Sequence, residues 1–302
     1  MTELSHKKTL IVIAGPTGIG KTALAIDVAK HFNTEIISAD SRQFYRELKI
    51  GVASPDKSEL SAVKHHFIGN LSISDEYNVS KYEQDALATI KNLFINHDTA
   101  VLVGGSGLYI DAVCKGIDEL PDPDPELRES IKNLFNEEGI EALRFKLKLL
   151  DPEYYNQVDL ANPKRLMRAI EVCLTTNQTF TSLRLSNPKT RDFNIVKIGL
   201  FTDRELMYDR INQRTDKMIK DGLIEEAYNL IPYKNYNALN TVGYKELFNY
   251  FDKKTTLEEA IDKIKVNTRR YAKRQLTWFR KDAKINWIDT NNIKEVYNVF
   301  NF

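Results

Sequence analysis

A glycine-rich stretch near the start of the 302-residue chain has the residue types and spacing that bind phosphate groups. It reads Gly15-x-x-x-x-Gly20-Lys21-Thr22, which is the P-loop pattern. The glycines let backbone N–H groups turn inward around a phosphate, Lys21 adds a positive charge, and the Thr22 hydroxyl is a candidate ligand for Mg²⁺. The residues expected to bind a diphosphate are Gly15, Pro16, Thr17, Gly18, Ile19, Gly20, Lys21 and Thr22. The pattern does not tell what is esterified to that diphosphate.

Two further polar stretches each follow a short apolar run. Asp40 follows residues 34–39, and the turn Gly104–Gly107 with its Ser106 hydroxyl follows residues 99–103. Ligands of open α/β sheets bind at the carboxyl ends of the strands, so Asp40 is expected near the P-loop if the strands are neighbours. An Asp in this position is equally suited to cap a following helix. The Gly104–Gly107 turn can serve either as a tight connection or as an anion contact.

Cations at helical spacing follow a later apolar run, residues 194–201. The helix predicted over residues 203–220 carries Arg210, Arg214 and Lys217 on one face. Surface cations of this kind are often only solvated. After a strand of a P-loop protein, however, they are well placed to close over phosphates, as a mobile lid does.

The elements that must position these groups alternate between strand and helix patterns. Strands are predicted at residues 10–14, 34–39, 99–103, 194–201 and 285–288, with amphipathic helices between them, one of them capped at Ser80. This order predicts an α/β fold in which a parallel, P-loop NTPase-like sheet is flanked by helices. From Gly116 the strand pattern is absent. A proline-rich stretch lies at residues 120–125, and the sequence after it has a helical period. We therefore divide the chain into a first core part (1–115), a helical insertion domain (116–191) and a second core part (192–302) that ends in a helical region.

The last helix, predicted over residues 257–279, is strongly basic at its far end. Basic side chains alternate there with aromatic ones, a combination that suits nucleic acid because cations meet phosphates and rings stack on bases. The alternative is an amphipathic helix whose apolar side is buried while the rest is solvated. Its buried residues would be Ile264, Tyr271, Leu276 and Trp278.

Composition narrows the class of protein. The net charge of +1 excludes a uniformly basic protein but leaves room for a local basic face. The isolated Cys114 and Cys173 indicate neither a disulfide framework nor a zinc site. No run is long enough to span a bilayer, and the polar N-terminus is unlike a signal peptide. We expect a cytoplasmic monomer without membrane contact.

An ordered series of motifs resembles the bacterial tRNA dimethylallyltransferases (tRNA isopentenyltransferases) over nearly the whole chain. The motifs are Gly15–Thr22, Asp40–Tyr45, Ile50–Ala53, His65-His66, Gly104–Tyr109, Asn162–Ala169, Val242–Lys245 and Arg269–Gln275. Two departures stand out. Gly18-Ile19 replaces the usual Ala-Ser, which removes a hydroxyl, and Ser106 replaces the usual Thr. Since neither removes a backbone donor, activity is expected to survive.

The resemblance implies a reaction and a role for each motif. The family transfers a dimethylallyl group from dimethylallyl diphosphate to the exocyclic amine of the adenosine 3' to the anticodon. It implies that Asp40, Lys21, Ser106 and Arg214 are catalytic, that Arg210 adds to the diphosphate site, and that Mg²⁺ bound by Thr22 neutralises the leaving group. Residues implied to hold the tRNA anticodon stem-loop are Asp40, Ser41, Arg42, Gln43, Ser106, Lys164, Arg165, Leu166, Met167, Arg168, Gly243, Tyr244, Lys245, Arg269, Arg270, Lys273 and Arg274.

Three alternatives remain open on the sequence. The first is a P-loop kinase that holds ATP, and the second is an enzyme that prenylates free adenine nucleotides and needs no basic face for a stem-loop. The third is an RNA-binding protein whose P-loop is only a regulatory switch. Asp40 and Ser106 flanking the loop count against the third.

Overall fold

A computed structural model of the chain describes residues 8–118, 120–122, 124–184 and 188–300. The chain forms two compact units. One contains residues up to Cys114 together with those from Arg191 onward, and the other contains Lys115–Thr190. The first unit holds the sheet, and the second is helical.

The described residues of the first unit build a sheet of six parallel strands. These are β1 (Thr9–Ala14), β2 (Ile36–Ser38), β3 (His65–His66), β4 (Thr99–Gly104), β5 (Asn194–Phe201) and β6 (Ile285–Asp289). Their order across the sheet is β3-β2-β4-β1-β5-β6. The central strand β1 pairs Thr9 with Thr99 on one side and with Asn194 on the other. All carboxyl ends therefore meet at one edge.

Helices cover the sheet and form the second unit. In chain order they are α1 (Lys21–His31), α2 (Lys57–Ala62), α3 (Val79–Asn96), α4 (Gly107–Lys115), α5 (Pro125–Leu150), α6 (Pro152–Gln157), α7 (Pro163–Thr176), α8 (Phe180–Leu183), α9 (Arg204–Lys220), α10 (Leu223–Asn229), α11 (Tyr244–Phe251) and α12 (Leu257–Phe279). Short 3₁₀ segments occur at Ile231–Tyr233, Asn237–Leu239 and Thr290–Phe300.

Both faces of the sheet are buried, as parallel sheets require. Alternate residues of β1 point to opposite faces because side chains along a strand have a period of two. Leu10 and Val12 join a cluster with α3 and α4, whereas Ile11 and Ile13 join a cluster with α1. A separate cluster that includes Leu247 unites α10, α11 and α12 with the loop after β2.

The helical unit packs α5 and α7 around a core of its own, with Leu143, Leu147 and Ile170 fully buried. Gly139 interrupts α5 with φ 78° and ψ −168°, a backbone conformation that glycine adopts readily. Helix α5 is therefore two helical segments that meet at Gly139.

The predicted fold class is confirmed, since the sheet is parallel and flanked by helices. One prediction is wrong: α3 is capped by Asn78, whose side chain accepts from the backbone N–H groups of Ser80 and Lys81, and not by Ser80. In the part of the chain that the structure describes, no helix has the length and apolar character needed to cross a membrane.

Candidate active site

The P-loop connects β1 to α1 at the carboxyl edge of the sheet. Gly20 precedes the helix with φ 100°, and Gly18 has φ 79°, both in the left-handed region that favours glycine. Glycine at position 18 therefore fits this loop because it adopts the left-handed backbone conformation found there. Ile19 is buried against the sheet and so contributes to the core. Lys21 donates from Nζ to the carbonyl oxygen of Pro16 at 2.8 Å, which folds its side chain back over the loop.

Asp40 lies just beyond β2, whose neighbour β4 separates it from β1. The residues after Asp40 form a turn, in which its carboxylate accepts from the backbone N–H of Arg42 at 3.0 Å. It thus caps a turn rather than a helix. The backbone before it is closely packed, because a Cβ placed on Gly104 would lie 2.2 Å from the carbonyl oxygen of Ala39.

The Ser106 hydroxyl ties the third polar stretch to the second. Its oxygen accepts from the backbone N–H of Ser41 at 3.0 Å, and it donates to the Ser41 hydroxyl at 3.2 Å. The backbone N–H of Ser106 also donates to the carbonyl of Ala39 at 3.3 Å. The two turns after β2 and β4 are therefore one hydrogen-bonded unit.

Lys21, Arg214 and Asp40 form the electrostatic centre of the site. Desolvation lowers the pKa of Lys21 from 10.5 to about 8, a shift that Asp40 opposes and Arg214 reinforces. Desolvation also lowers the pKa of Arg214, again opposed by Asp40. Arg214 donates to the Thr17 hydroxyl at 3.3 Å. Two desolvated cations thus lie beside the phosphate loop, where an anion would be favoured.

The other cations of α9 are more loosely placed. Arg210 reaches the Thr290 hydroxyl at 3.5 Å, and Lys217 forms an exposed ion pair with Asp221 at 2.6 Å. The three cations predicted to share this face all line one cavity: Arg210, Arg214 and Lys217. Whether this face moves as a lid stays a prediction.

That cavity has a volume of about 1530 Å³ and lies within the first unit. It brings together the P-loop, the Asp40 turn and the cationic face of α9. Predicted site residues that line it are Thr17, Gly18, Gly20, Lys21, Thr22, Asp40, Ser41, Arg42, Gln43, Arg210, Arg214, Gly243, Lys245 and Arg274.

Tyr271 is a cavity residue that the sequence prediction placed only in the apolar side of the last helix. Burial raises the pKa of its phenol to about 12, and Asp40 adds to the rise. Ser106 forms a hydrogen bond that opposes it. Tyr271 therefore presents a protonated hydroxyl that is hydrogen-bonded with Ser106 and lies within the electrostatic influence of Asp40. Its position in the Arg269–Gln275 motif was the available signal.

Gln275, also missed, joins the P-loop to the Gly104–Gly107 turn. Its buried side chain accepts from the backbone N–H of Thr17 at 2.9 Å and donates to the carbonyl of Gly105 at 2.8 Å. A Cβ on Gly105 would lie 2.2 Å from Nε2 of Gln275, so this glycine is required for the approach. Helix α12 thereby fixes the spacing of the two loops.

Glu226 of α10 holds the loop at residues 49–51, a third wall of the cavity. Its carboxylate accepts from the backbone N–H groups of Lys49, Ile50 and Gly51 at 3.1, 2.9 and 2.9 Å. Tyr244, predicted to touch tRNA, is fully buried and donates to Glu226 instead. Its ring occupies the space that a Cβ of Gly51 would need, at 2.6 Å.

The same wall supports Gln43, whose Nε2 donates to the carbonyls of Val52 and Ala53 at 3.3 and 3.0 Å. Arg42 donates to the carbonyl of Asn237 at 2.8 Å. Gly243 donates from its backbone N–H to Glu246 at 2.8 Å, which starts α11. These contacts hold the motif residues in place around the cavity.

The basic end of α12 divides into two kinds of cation. Arg269 is half-buried, donates to Asn212 at 2.8 Å and lies 5.6 Å from the centre of the Tyr208 ring. Arg270, Lys273 and Arg274 are exposed. The first therefore belongs to the packing of α12 on α9, and the others are available to a ligand.

The predicted cluster of residues 164–168 lies in the helical unit, on α7. Lys164 and Arg165 are exposed, and Met167 is half-buried. Leu166 is fully buried in the core of that unit and so supports the helix. Arg168 is bound to Glu171 at 2.8 Å and to the carbonyl of Pro121 at 2.8 Å.

The parallel sheet, the phosphate loop and the cavity at its carboxyl edge define a P-loop α/β protein. A sequence model of the family described as IPP transferase matches residues 43–282. The chain belongs to this family, and it is a prenyltransferase. The kinase alternative is thereby set aside.

Similar proteins extend over almost the full chain. It is 56% identical to a tRNA dimethylallyltransferase of Christiangramia forsetii, covering 95% of this chain and 96% of that one. The crystal structure of a tRNA isopentenylpyrophosphate transferase from Bacillus halodurans is 37% identical, with a TM-score of 0.72 over 97% and 96% of the two chains. A eukaryotic dimethylallyltransferase acting on tRNA shares the fold, with a TM-score of 0.80 at 24% identity, over 97% of this chain and 79% of that one.

Proposed function

We propose that the protein transfers the dimethylallyl group of dimethylallyl diphosphate to the exocyclic amine of the adenosine 3' to a tRNA anticodon. The amine nitrogen forms a bond to the first carbon of the dimethylallyl group, the carbon–oxygen bond to the diphosphate breaks, and the amine loses one proton. The products are the N-prenylated adenosine, diphosphate and a proton.

One observation carries the proposal: an acceptor for a proton and two cations for a leaving group line the same cavity. Asp40 is close enough to Lys21 and Arg214 to shift the pKa of both. The two cations beside the phosphate loop suit the binding of a diphosphate leaving group. The carboxylate beside them suits the removal of a proton from the attacking nucleophile.

The leaving diphosphate is bound by the P-loop amides, Lys21 and Arg214 in this proposal. The negative charge that develops as the carbon–oxygen bond breaks is stabilised by cations already in place. The Thr22 hydroxyl lines the cavity and is a hard oxygen ligand of the kind that Mg²⁺ takes beside phosphates, so the site fits this ion. Bound there with the diphosphate, Mg²⁺ would supply further charge neutralisation.

The nucleophile is handled by Asp40. An exocyclic adenine amine is weakly nucleophilic because its lone pair is delocalised into the ring. It becomes acidic as the new bond forms, so a carboxylate within hydrogen-bond reach helps most in the transition state. The hydroxyls of Ser106 and Tyr271 are neighbours of Asp40, and we assign Ser106 to the oxygen that leaves carbon.

The acceptor base must leave its loop to enter the cavity, as in other enzymes that act on a single base. We assign the anticodon stem-loop to the exposed cations Arg270, Lys273 and Arg274 of α12 and to Lys164 and Arg165 of the helical unit. Such a substrate implies a cytoplasmic reaction, and we propose that the protein acts as a monomer.

Mass spectrometry of adenosines tests the proposal directly. Unmodified tRNA is incubated with the protein, dimethylallyl diphosphate and Mg²⁺, and the expected result is prenylation of the adenosine 3' to the anticodon. Adenosine monophosphate and ATP are parallel substrates. Prenylation of free nucleotide in place of tRNA, or phosphate transfer from ATP, contradicts the proposal.

Asp40→Asn tests the role of the carboxylate. It preserves shape but removes the base, so turnover should fall by ~10²–10⁴-fold while tRNA affinity changes little. The matched control is Asp27→Asn, an exposed carboxylate in the middle of α1. If Asp40 only capped its turn, Asn would replace it almost without loss, because the two residues cap about equally well.

A further inference from the structure

Trp278, in the last turn of α12, is an aromatic side chain held in one orientation at the surface. It is 37% exposed, although large aromatic residues are highly buried on average. Its indole Nε1 donates to Oδ2 of Asp111 on α4 at 2.8 Å. An exposed ring usually turns freely, but this hydrogen bond fixes the edge of the indole.

The glycine at the start of α4 fixes the ring further. A Cβ on Gly107 would lie 2.3 Å from Cδ1 of Trp278, so the indole packs directly on the backbone there. Gly107 follows Ser106, which holds the Asp40 turn through Ser41. The exposed surface of the ring therefore has a defined position beside the Gly104–Gly107 turn, and binding to it costs little conformational entropy.

Cations precede and follow Trp278 along the chain. Arg274 lies four residues earlier on α12, about 6 Å along the helix axis, and it lines the cavity. Lys281 follows three residues after Trp278, and both cations are exposed. Charges that contact phosphates on either side of a ring that stacks on a base are the composition of single-stranded nucleic acid sites.

We propose that the exposed face of Trp278 stacks on a base of the RNA loop next to the adenosine that enters the cavity. This assignment rests on the proposed function and names a binding contact within it. Asp111 and Gly107 position the ring, and Arg274 and Lys281 contact the flanking phosphates. The contact binds RNA in general because every base has a stacking face.

Tryptophan emission tests the contact without relying on turnover. The chain has two tryptophans, and Trp287 lies on β6, half-buried against Phe201. In Trp287→Phe, Trp278 is the sole emitter, and an unmodified anticodon stem-loop RNA should quench it on titration. In Trp278→Phe the remaining emission should not change. Equal responses of the two variants overturn the proposal.

Binding affinity provides a second test. Trp278→Ala should bind the same RNA at least about fivefold more weakly, the lower end of the ~1–3 kcal/mol measured per stacked base. Trp278→Phe should recover part of the loss. The slope of log affinity against log salt should be unchanged, since no phosphate contact is removed.

The outcomes separate this inference from the function on which it rests. Wild-type protein that prenylates tRNA, with an affinity unchanged by Trp278→Ala, overturns the stacking contact alone. If Trp278 instead contacts a protein partner, Trp278→Ala likewise leaves the RNA affinity unchanged, and the stacking contact is overturned. Wild-type protein that neither binds nor prenylates the RNA overturns both.

Discussion

The hydroxyl of Tyr244 donates a 2.6 Å hydrogen bond to Oε1 of Glu226, and the Tyr244 side chain is fully buried. The same carboxylate accepts from three successive backbone N–H groups, at residues 49–51. A single side chain of α10 therefore holds one wall of the cavity, and α11 supports it from behind. We interpret Glu226 and Tyr244 as positioning residues.

Glu226→Gln should destabilise this wall. The amide group of Gln would face backbone N–H donors, which leaves a half-buried donor of Ile50 or Gly51 unpaired at a cost of about 1 kcal/mol. Tyr244→Phe should cost less, because the three amides still satisfy the carboxylate. Urea unfolding measures both. Equal losses for the two variants would show that the amide contacts contribute nothing beyond the tyrosine bond.

Lys21 should make diphosphate binding sensitive to alkaline pH. Its pKa of about 8 in the free protein means that the ammonium is mostly charged at pH 7 and mostly neutral at pH 9. A bound anion favours the charged form, so affinity for dimethylallyl diphosphate should fall by up to about tenfold between these values. Calorimetric titration measures the affinity. Lys21→Arg keeps its charge and should lack this dependence, and a parallel fall in that variant would assign the effect to another group.

The exposed cations of α12 should contribute to RNA binding, and the half-buried Arg269 should contribute to folding stability. Arg270→Gln and Lys273→Gln should each lower the slope of log affinity against log salt by ~0.7–0.9, the value of one phosphate contact. Arg269→Gln removes the bond to Asn212 and the contact with Tyr208, and it should cost about 1 kcal/mol of folding free energy. A reversed pattern in gel-shift and unfolding measurements would contradict this division.

Gln275→Ala should loosen the P-loop while the core stays intact. It leaves the Thr17 N–H and the Gly105 carbonyl without their partner, at a cost of ~1–3 kcal/mol. We expect weaker binding of dimethylallyl diphosphate and a lower free energy of unfolding. Thr277→Ala, an exposed change two residues away, is the matched control. Unaltered diphosphate affinity in Gln275→Ala would mean that the loop keeps its shape unaided.

Most of the sheet could be predicted because its signals are local. The run of β1, the glycine-rich turn after it and the apolar pattern of β5 are each read within a few residues, and the structure has β5 at the predicted Asn194–Phe201. Strand β3 was not predicted, since two residues carry no period. The Asn78 cap was missed because Asn and Ser two residues apart offer equivalent oxygens.

Only part of the candidate site could be predicted from the sequence, and the reason differs from that for the sheet. Asp40 stands in a turn after β2, and Lys21 and Thr22 begin α1 directly after the glycine-rich loop, so their polar side chains are conspicuous in the sequence. The contributions of Tyr271 and Gln275 depend on which face of α12 meets the sheet, and Glu226 belongs to none of the motifs. Such long-range contacts follow from packing, which spacing along the chain does not encode. The burial of Tyr244 and Leu166 is likewise a product of packing.

The bond between Thr17 and Gln275 spans 258 positions of the chain. A ribosome makes the phosphate loop long before the helix that braces it. The nascent protein therefore carries an unbraced loop until α12 has been made, and β1 gains its neighbour β5 earlier than that. The finished geometry of the phosphate loop should thus appear only after α12 has been made, so that a shorter nascent chain does not offer a finished site to tRNA or to competing cellular phosphates.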